Sequence, residues 1–216
     1  FPADSFKPLF LLYSIFAVST IALYSALSSR IEIAHTENEG HQILKLESRK
    51  RIAKLASLFA IDSFAGGFVL QSIVAFWFFT RFQTSLSSIS AIFFAANMFT
   101  AISFLVAAKI AARIGLIRTM VFTHLPSNLF LIMVPLAPSL PLALTFYLAR
   151  MSLSQMDVPT RQSYTVSIVS PEERTAAAGL TNISRNTSQA VSPSISGYVL
   201  QFLSLSFPFL IGGGLK

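Results

Sequence analysis

The chain has 216 residues, 53% of them hydrophobic and only 12% charged; Phe alone occurs 21 times, and the formal net charge is +7. With a mean hydropathy of +0.65, this composition lies outside that of soluble domains and defines a membrane protein. The basic excess does not build a nucleic-acid face, because its Lys and Arg fall between apolar segments instead of on one solvated surface. The lack of cysteine removes disulfides and thiolate metal sites.

A helix needs about 20 mostly apolar residues to cross roughly 30 Å of hydrocarbon, so uncharged runs place the spans. Residues 8–29 form the first. A polar connection, 30–54, follows, and the second span covers 55–80, interrupted by Asp62. The third is 82–108. The uncharged run 119–149 is too long for one helix and contains PLAPSLPL (135–142), whose prolines mark a tight connection. It divides into a fourth span at 116–134 and a fifth beginning near 140. The sixth runs over 175–203, and Phe207-Pro208 opens a seventh that the chain truncates. A first residue that is Phe rather than Met, and a last one just beyond a glycine run, read as those of a fragment.

Lys and Arg set the orientation. Alternate connections carry Arg30, Lys45, Arg49, Lys50, Arg51, Lys54, Lys109, Arg113, Arg118, Arg161 and Arg174, whereas the opposite set has only Lys7 and Arg81. The first set is therefore cytoplasmic. The 30–54 connection suits a solvated linker, with an amphipathic helix on the inner surface through Ile43, Leu44, Leu46 and Ile52. His35 and His41 lie in it without a third ligand at metal spacing, so no metal site is expected.

Three ionisable residues fall inside the spans: Asp62, Arg150 and Arg185. At 1.5 Å per residue each approaches the midplane. An ion there costs roughly 2.5–3.5 kcal/mol by insertion scales, so it should face protein, a partner or water. Helical phase supplies a wet side. Thr181, Asn182, Arg185, Ser188, Gln189, Ser192 and Ser196 share one stripe of the sixth span, and Tyr147, Arg150, Ser154, Asp157, Arg161 and Tyr164 share one in the fifth. Ser63, Gly67 and Gln71 align beside Asp62, and Gly66-Gly67 permits close packing or a hinge.

Each feature also has a structural reading. Arg185 and Asp62 either pair with one another inside the bundle or meet a solute or coupling ion. Asp157 and Arg161, four apart beside Pro159, read as a structural or gating salt bridge. Glu172, Glu173 and Arg174 fit the first turn of the sixth span, where acids favour the helix dipole and Pro171 suits the start, and they are also gating candidates. His124 stands alone in the fourth span and reads as packed or hydrogen-bonded. The Asn182 and Asn186 sequons would lie inside the membrane. Neither a phosphate-binding loop nor a nucleophile and base at helical spacing occurs, so neither an enzyme nor a cofactor is expected.

The stretch MDVPTRQSYTVSIVSPEERTAAAGLTNISRNTSQAVSPSISGY (156–198) resembles the tenth helix, inner loop and eleventh helix of major facilitator superfamily transporters, and KLASLFAIDSFAGGFVLQSIVAFWF (54–78) resembles the seventh. AKIAARIGLIR (108–118) matches the family's inner-loop signature at Arg113 and Gly115, while Ala108 and Ala112 replace its first glycine and its aspartate. The resemblance implies an all-α polytopic bundle of six spans plus a truncated seventh. On that alignment 1–29 is the last helix of the N-terminal half, 30–54 the cytoplasmic linker and 55–216 the C-terminal bundle. It implies a secondary transporter moving a small solute across a lipid bilayer by alternating access against a missing N-terminal half; Asp62, a carboxylate inside a span, is the candidate for proton coupling. Tyr147, Arg150, Asn182, Arg185 and Gln189 are the solute-binding candidates, the two arginines for an anionic or polar group. Asp157, Arg161, Arg113, Glu173 and Arg174 are the gating candidates. A receptor or scaffold that kept the bundle without the cycle is the alternative.

Overall fold

The computed structural model describes residues 7–26 and 45–216. His35, His41, Ile43 and Leu44, and the side chain of Leu46, lie outside the described residues. The chain forms two compact units, Phe1–His41 and Gln42–Lys216. In the first, α1 (Lys7–Ser25) has no buried residue. Its Ser14, Ser19 and Thr20 hydroxyls each donate to the carbonyl four residues back, which hides their polarity within the helix.

The second unit holds α2 (Leu46–Gly67), α3 (Gln71–Phe82), α4 (Leu86–Ile114), α5 (Leu116–Met133), α6 (Leu140–Ser154), α7 (Asp157–Ser167), a 3-10 turn at Pro171–Glu173, α8 (Arg174–Phe202) and α9 (Phe207–Gly214). No strand occurs among the described residues. The breaks have local causes. Ser85 caps α4 by accepting from the Ser88 N–H. Gly115, with φ +88°, turns the chain directly from α4 into α5. Pro141 lies in the first turn of α6, where a missing N–H costs nothing.

Two boundaries differ from expectation. The second span is not one helix over 55–80: α2 starts at Leu46, through the basic stretch, and ends at Gly67, with Phe68 to Leu70 kinking it into α3. Charge stops an apolar run but not a helix, and Ile52 is fully buried in a small cluster with Val169 and Ala177. For the same reason α4 continues past 108 through Lys109 and Arg113.

Among the described residues, four stretches are long and apolar enough to cross a membrane: Lys7–Ser25, Glu47–Phe82, Leu86–Ile114 and Leu116–Met133. The main apolar core gathers Val74, Trp77 and Phe78 of α3, Leu131 of α5, Ala143 and Tyr147 of α6, Val199 of α8 and Phe209 of α9. Trp77 lies 5.2 Å from Phe209, and Phe78 meets Tyr147 edge-on at 5.8 Å between ring centroids. Chain direction puts all of these toward the helix ends opposite the predicted cytoplasmic loops. The polar stripes are left in the remaining half.

The tightest seam joins α2 to α8. Ser184 donates to the Ala56 carbonyl at 3.0 Å, Ser192 to that of Phe64, and Ser196 to that of Phe68 at 2.8 Å. The three pairs keep one constant offset in sequence, so the two helices run parallel and in register. Gly67 makes the approach possible: a Cβ there would stand 2.8 Å from Ser192 Cβ. At the second glycine of Gly66-Gly67 the close-packing reading therefore has its structural counterpart. It also corrects the α8 stripe. Ser192 and Ser196 are fully buried against α2 instead of facing water, because small hydroxyl residues draw helix backbones together where lipid offers no hydrogen bonds.

Candidate functional site

Between α2, α6, α7 and α8 lies a polar cavity of about 300 Å³. It exists because the kinked α6–α7 pair and the middle of α8 turn their polar stripes to the same side of α2. Of the predicted site residues, Asp62, Tyr147, Arg150, Asp157, Arg161, Arg185 and Gln189 all line it. Its charged groups divide into two sets.

The first set is paired. Asp62 Oδ2 lies 3.2 Å from Arg161 Nη1, and Asp62 Oδ1 lies 3.0 Å from His124 Nε2 and 3.4 Å from Lys216 Nζ. Asp157 Oδ2 is 3.4 Å from the same Arg161 nitrogen and 3.7 Å from His124 Nδ1. Arg161 also stacks over Phe59, 5.2 Å from its ring centre. Asp157 and Arg161 thus form the four-apart pair read from the sequence, but Asp62 joins them from α2. Asp62 does not ion-pair with Arg185 among the described residues: Arg161 sits nearer and takes its carboxylate. His124 and Lys216 were not read as part of this group. His124 projects from α5 and Lys216 follows α9, and helical phase carries no information about partners on other helices. The one signal available for Lys216 was a cation a few turns into an apolar run.

The second set is unpaired. Arg150 is 9% exposed, makes no ion pair among the described residues, and has as its one side-chain hydrogen bond among them a weak one from Nη1 to the Met151 sulfur, at 3.4 Å. Its Nε has no partner, and neither does the buried Ser154 hydroxyl one turn on. Arg185 is half-buried and donates from Nε to Ser63 Oγ at 3.2 Å; it too has no ion pair among the described residues. Gln189 is exposed beside it.

The remaining candidates stand elsewhere. Asn182 is in a neighbouring pocket with Phe59, Gln162 and Thr165, which Arg161 and Arg185 border as well. Arg113 and Arg174 are exposed, at the end of α4 and the start of α8. Glu173 is buried and closes a capping box with Ser170 ahead of α8. Its carboxylate accepts from the Lys45 N–H at 2.6 Å, from Ser48 Oγ at 3.0 Å and from Ser170 Oγ at 3.1 Å. These donors, the Lys45 N–H first, hold the Glu173 carboxyl below the usual glutamate range. Glu173 thereby ties the loop before α8 to the first turn of α2.

An all-α bundle with apolar outer faces and a charge-lined interior is an integral, multi-pass membrane protein. Residues 55–215 match the profile of the Major Facilitator Superfamily, and the chain belongs to that family, a family of transporters. It is 26% identical over 185 residues to an uncharacterized membrane protein of Saccharomyces cerevisiae, YJR124C. That similarity covers 85% of this chain and 41% of the yeast protein, so the chain spans less than half of its relative's length. No solved structure matches the chain.

Proposed function

We propose that the chain is the C-terminal bundle, residues 55–216, of a secondary transporter that moves a small solute by alternating access, with 1–29 as the last helix of the N-terminal half and 30–54 as the linker. One observation carries the reading: charged side chains from four helices line a single cavity instead of being dispersed or turned to lipid. Ions at membrane depth are costly unless water, a partner or a solute meets them, and alternating access places a site on such an inner face, where one half rocks against the other. Tyr147, Arg150, Arg185 and Gln189 are the solute contacts on this reading, with Asn182 at the cavity's edge. The Asp157–Arg161 pair, Arg113, Arg174 and the Glu173 tie act in opening and closing the inner end.

Proton coupling is proposed at Asp62. Its carboxylate is held by Arg161, Lys216 and His124, so it takes up a proton only in the state of the cycle that releases it. Full-length protein in proteoliposomes tests both parts. Solute should cross the membrane, and its uptake should accelerate with an imposed proton gradient. Asp62→Asn should abolish that acceleration while leaving exchange of solute across equal pH. Binding without any flux would make the protein a receptor; pH dependence unchanged in Asp62→Asn would remove the carboxylate from coupling.

A further inference from the structure

The polar cavity holds four cations, Arg150, Arg161, Arg185 and Lys216, and only two carboxylates, Asp62 and Asp157. Both carboxylates are engaged by Arg161, and Lys216 also contacts Asp62. The excess of two positive charges therefore sits at Arg150 and Arg185, on α6 and α8, and neither has an ion pair among the described residues. Arg150 is the sharper case. Removing a guanidinium from water costs several kcal/mol unless a counter-charge or hydrogen bonds replace the water, and guanidinium groups do not relieve that cost by losing a proton. Yet Arg150 is buried with Nε unmet, and the hydroxyl of Ser154, one helical turn away in the same wall, is unmet too. The Tyr147 hydroxyl belongs to a residue of that same wall. A fork of N–H donors with adjacent hydroxyls matches the planar oxygens of a carboxylate or the tetrahedral oxygens of a phosphate.

We infer that this cavity takes an organic anion bearing a carboxylate or phosphate group, with Arg150 as its anchor and Arg185 as the second positive charge. The inference rests on the transporter reading and names the class of its solute. Arg161 and Lys216 belong to the wall, since their charge is already spent on Asp62 and Asp157. Neutral solutes leave Arg150 uncompensated, and cations meet a surplus of like charge. Both are excluded on electrostatic grounds.

Thermal unfolding of the purified full-length protein in detergent tests this without transport. Sodium succinate and sodium phosphate are compared at constant ionic strength with glucose and choline chloride. At least one of the two anions should raise the unfolding temperature saturably, and glucose and choline should not. Arg150→Gln should weaken the response by about tenfold to a hundredfold, the scale of a charge-assisted hydrogen bond; Arg150→Lys should recover part of it, keeping the charge but losing the fork. Without any added anion, Arg150→Gln should leave the unfolding temperature unchanged or raise it, because it removes an unmet charge. A fall in the anion-free protein would show that Arg150 has a carboxylate partner elsewhere in the full chain, and would overturn the inference. So would a shift with glucose or choline alone, no shift with any probe, or an undiminished response in Arg150→Gln. Flux of a neutral solute would sink the anion site and keep the transporter; an anion that binds but does not cross in proteoliposomes would do the reverse.

Discussion

The α2–α8 seam and the cavity wall share stretches of α2 and α8, the wall adding α6 and α7, yet they treat polar groups in opposite ways. In the seam every serine that reaches α2 finds a carbonyl: Ser184 that of Ala56, Ser192 that of Phe64, Ser196 that of Phe68. In the wall, Arg150 Nε, Arg161 Nε and the Ser154 hydroxyl are buried with no hydrogen-bond partner, and of the two arginines only Arg161 has its charge matched by a carboxylate. Side-chain polarity alone does not separate the two. The difference is whether the protein satisfies its own donors, and where it does not, something from outside is the natural complement.

The strongest way to break that distinction is Asp62→Ala, which turns part of the paired set into an unpaired one. Arg161 would keep only Asp157, while Lys216 and His124 would lose their contact at Asp62. Breaking a buried ion pair from one side costs about 3–5 kcal/mol, so the unfolding temperature of the full-length protein should drop more than for any other change considered. Asp62→Ala combined with Lys216→Met should recover part of the loss, because one orphaned cation is gone. Equal unfolding temperatures for wild type and Asp62→Ala would mean that the cluster contributes nothing to holding α2 against α7.

How far the sequence reached follows the same division. Apolar runs placed the helices, since they depend on residues close in the chain. Phase correctly gathered Tyr147, Arg150, Asp157 and Arg161 on one side, because 3.6-residue periodicity is local geometry. It misplaced Ser192 and Ser196 because it says which residues share a face and not what the face meets. The Asp62 cluster was out of reach for a related reason. Its members come from α2, α5, α7 and the residues after α9, and only the tertiary fold brings His124 and Lys216 to one carboxylate. The kink after Gly67 had a hint in Gly66-Gly67, but nothing in the pattern 55–80 fixed where the helix would stop.

The seam is tested next by size. A methyl at Gly67 would lie 2.8 Å from Ser192 Cβ and 3.0 Å from the Gln189 carbonyl oxygen, which belongs to the α8 backbone and cannot rotate away. Gly67→Ala should therefore force the two helices apart at a cost of about 1–3 kcal/mol, the usual range for overpacking. Gly66→Ala is the control one residue away, where the nearest atoms are 3.5 Å off and belong to the flexible Lys216 side chain; it should be close to neutral by thermal unfolding. Ser192→Gly removes the atoms the new methyl meets and should restore part of the Gly67→Ala loss. If Gly66→Ala and Gly67→Ala cost the same, the seam is not where the close approach lies.

The smallest effect comes from single seam hydroxyls, and their ranking is informative. Interhelical hydrogen bonds within membranes average about 0.6 kcal/mol and reach about 1.7 kcal/mol. Ser184 donates to a carbonyl in the middle of α2, one that the helix's own N–H ladder already serves, so Ser184→Ala should fall at or below the average. Ser196 donates to Phe68, just past the end of α2, where the chain turns extended at Leu70 before α3 begins. No backbone N–H reaches that carbonyl among the described residues, so the serine replaces a bond that the kink removes. Ser196→Ala should accordingly lie near the upper end of the range, and Ser196→Thr, which keeps the hydroxyl, should lose less. Unfolding temperatures of the three variants read the order directly, and Ser184→Ala costing as much as Ser196→Ala would show that the kink at Phe68 does not depend on α8.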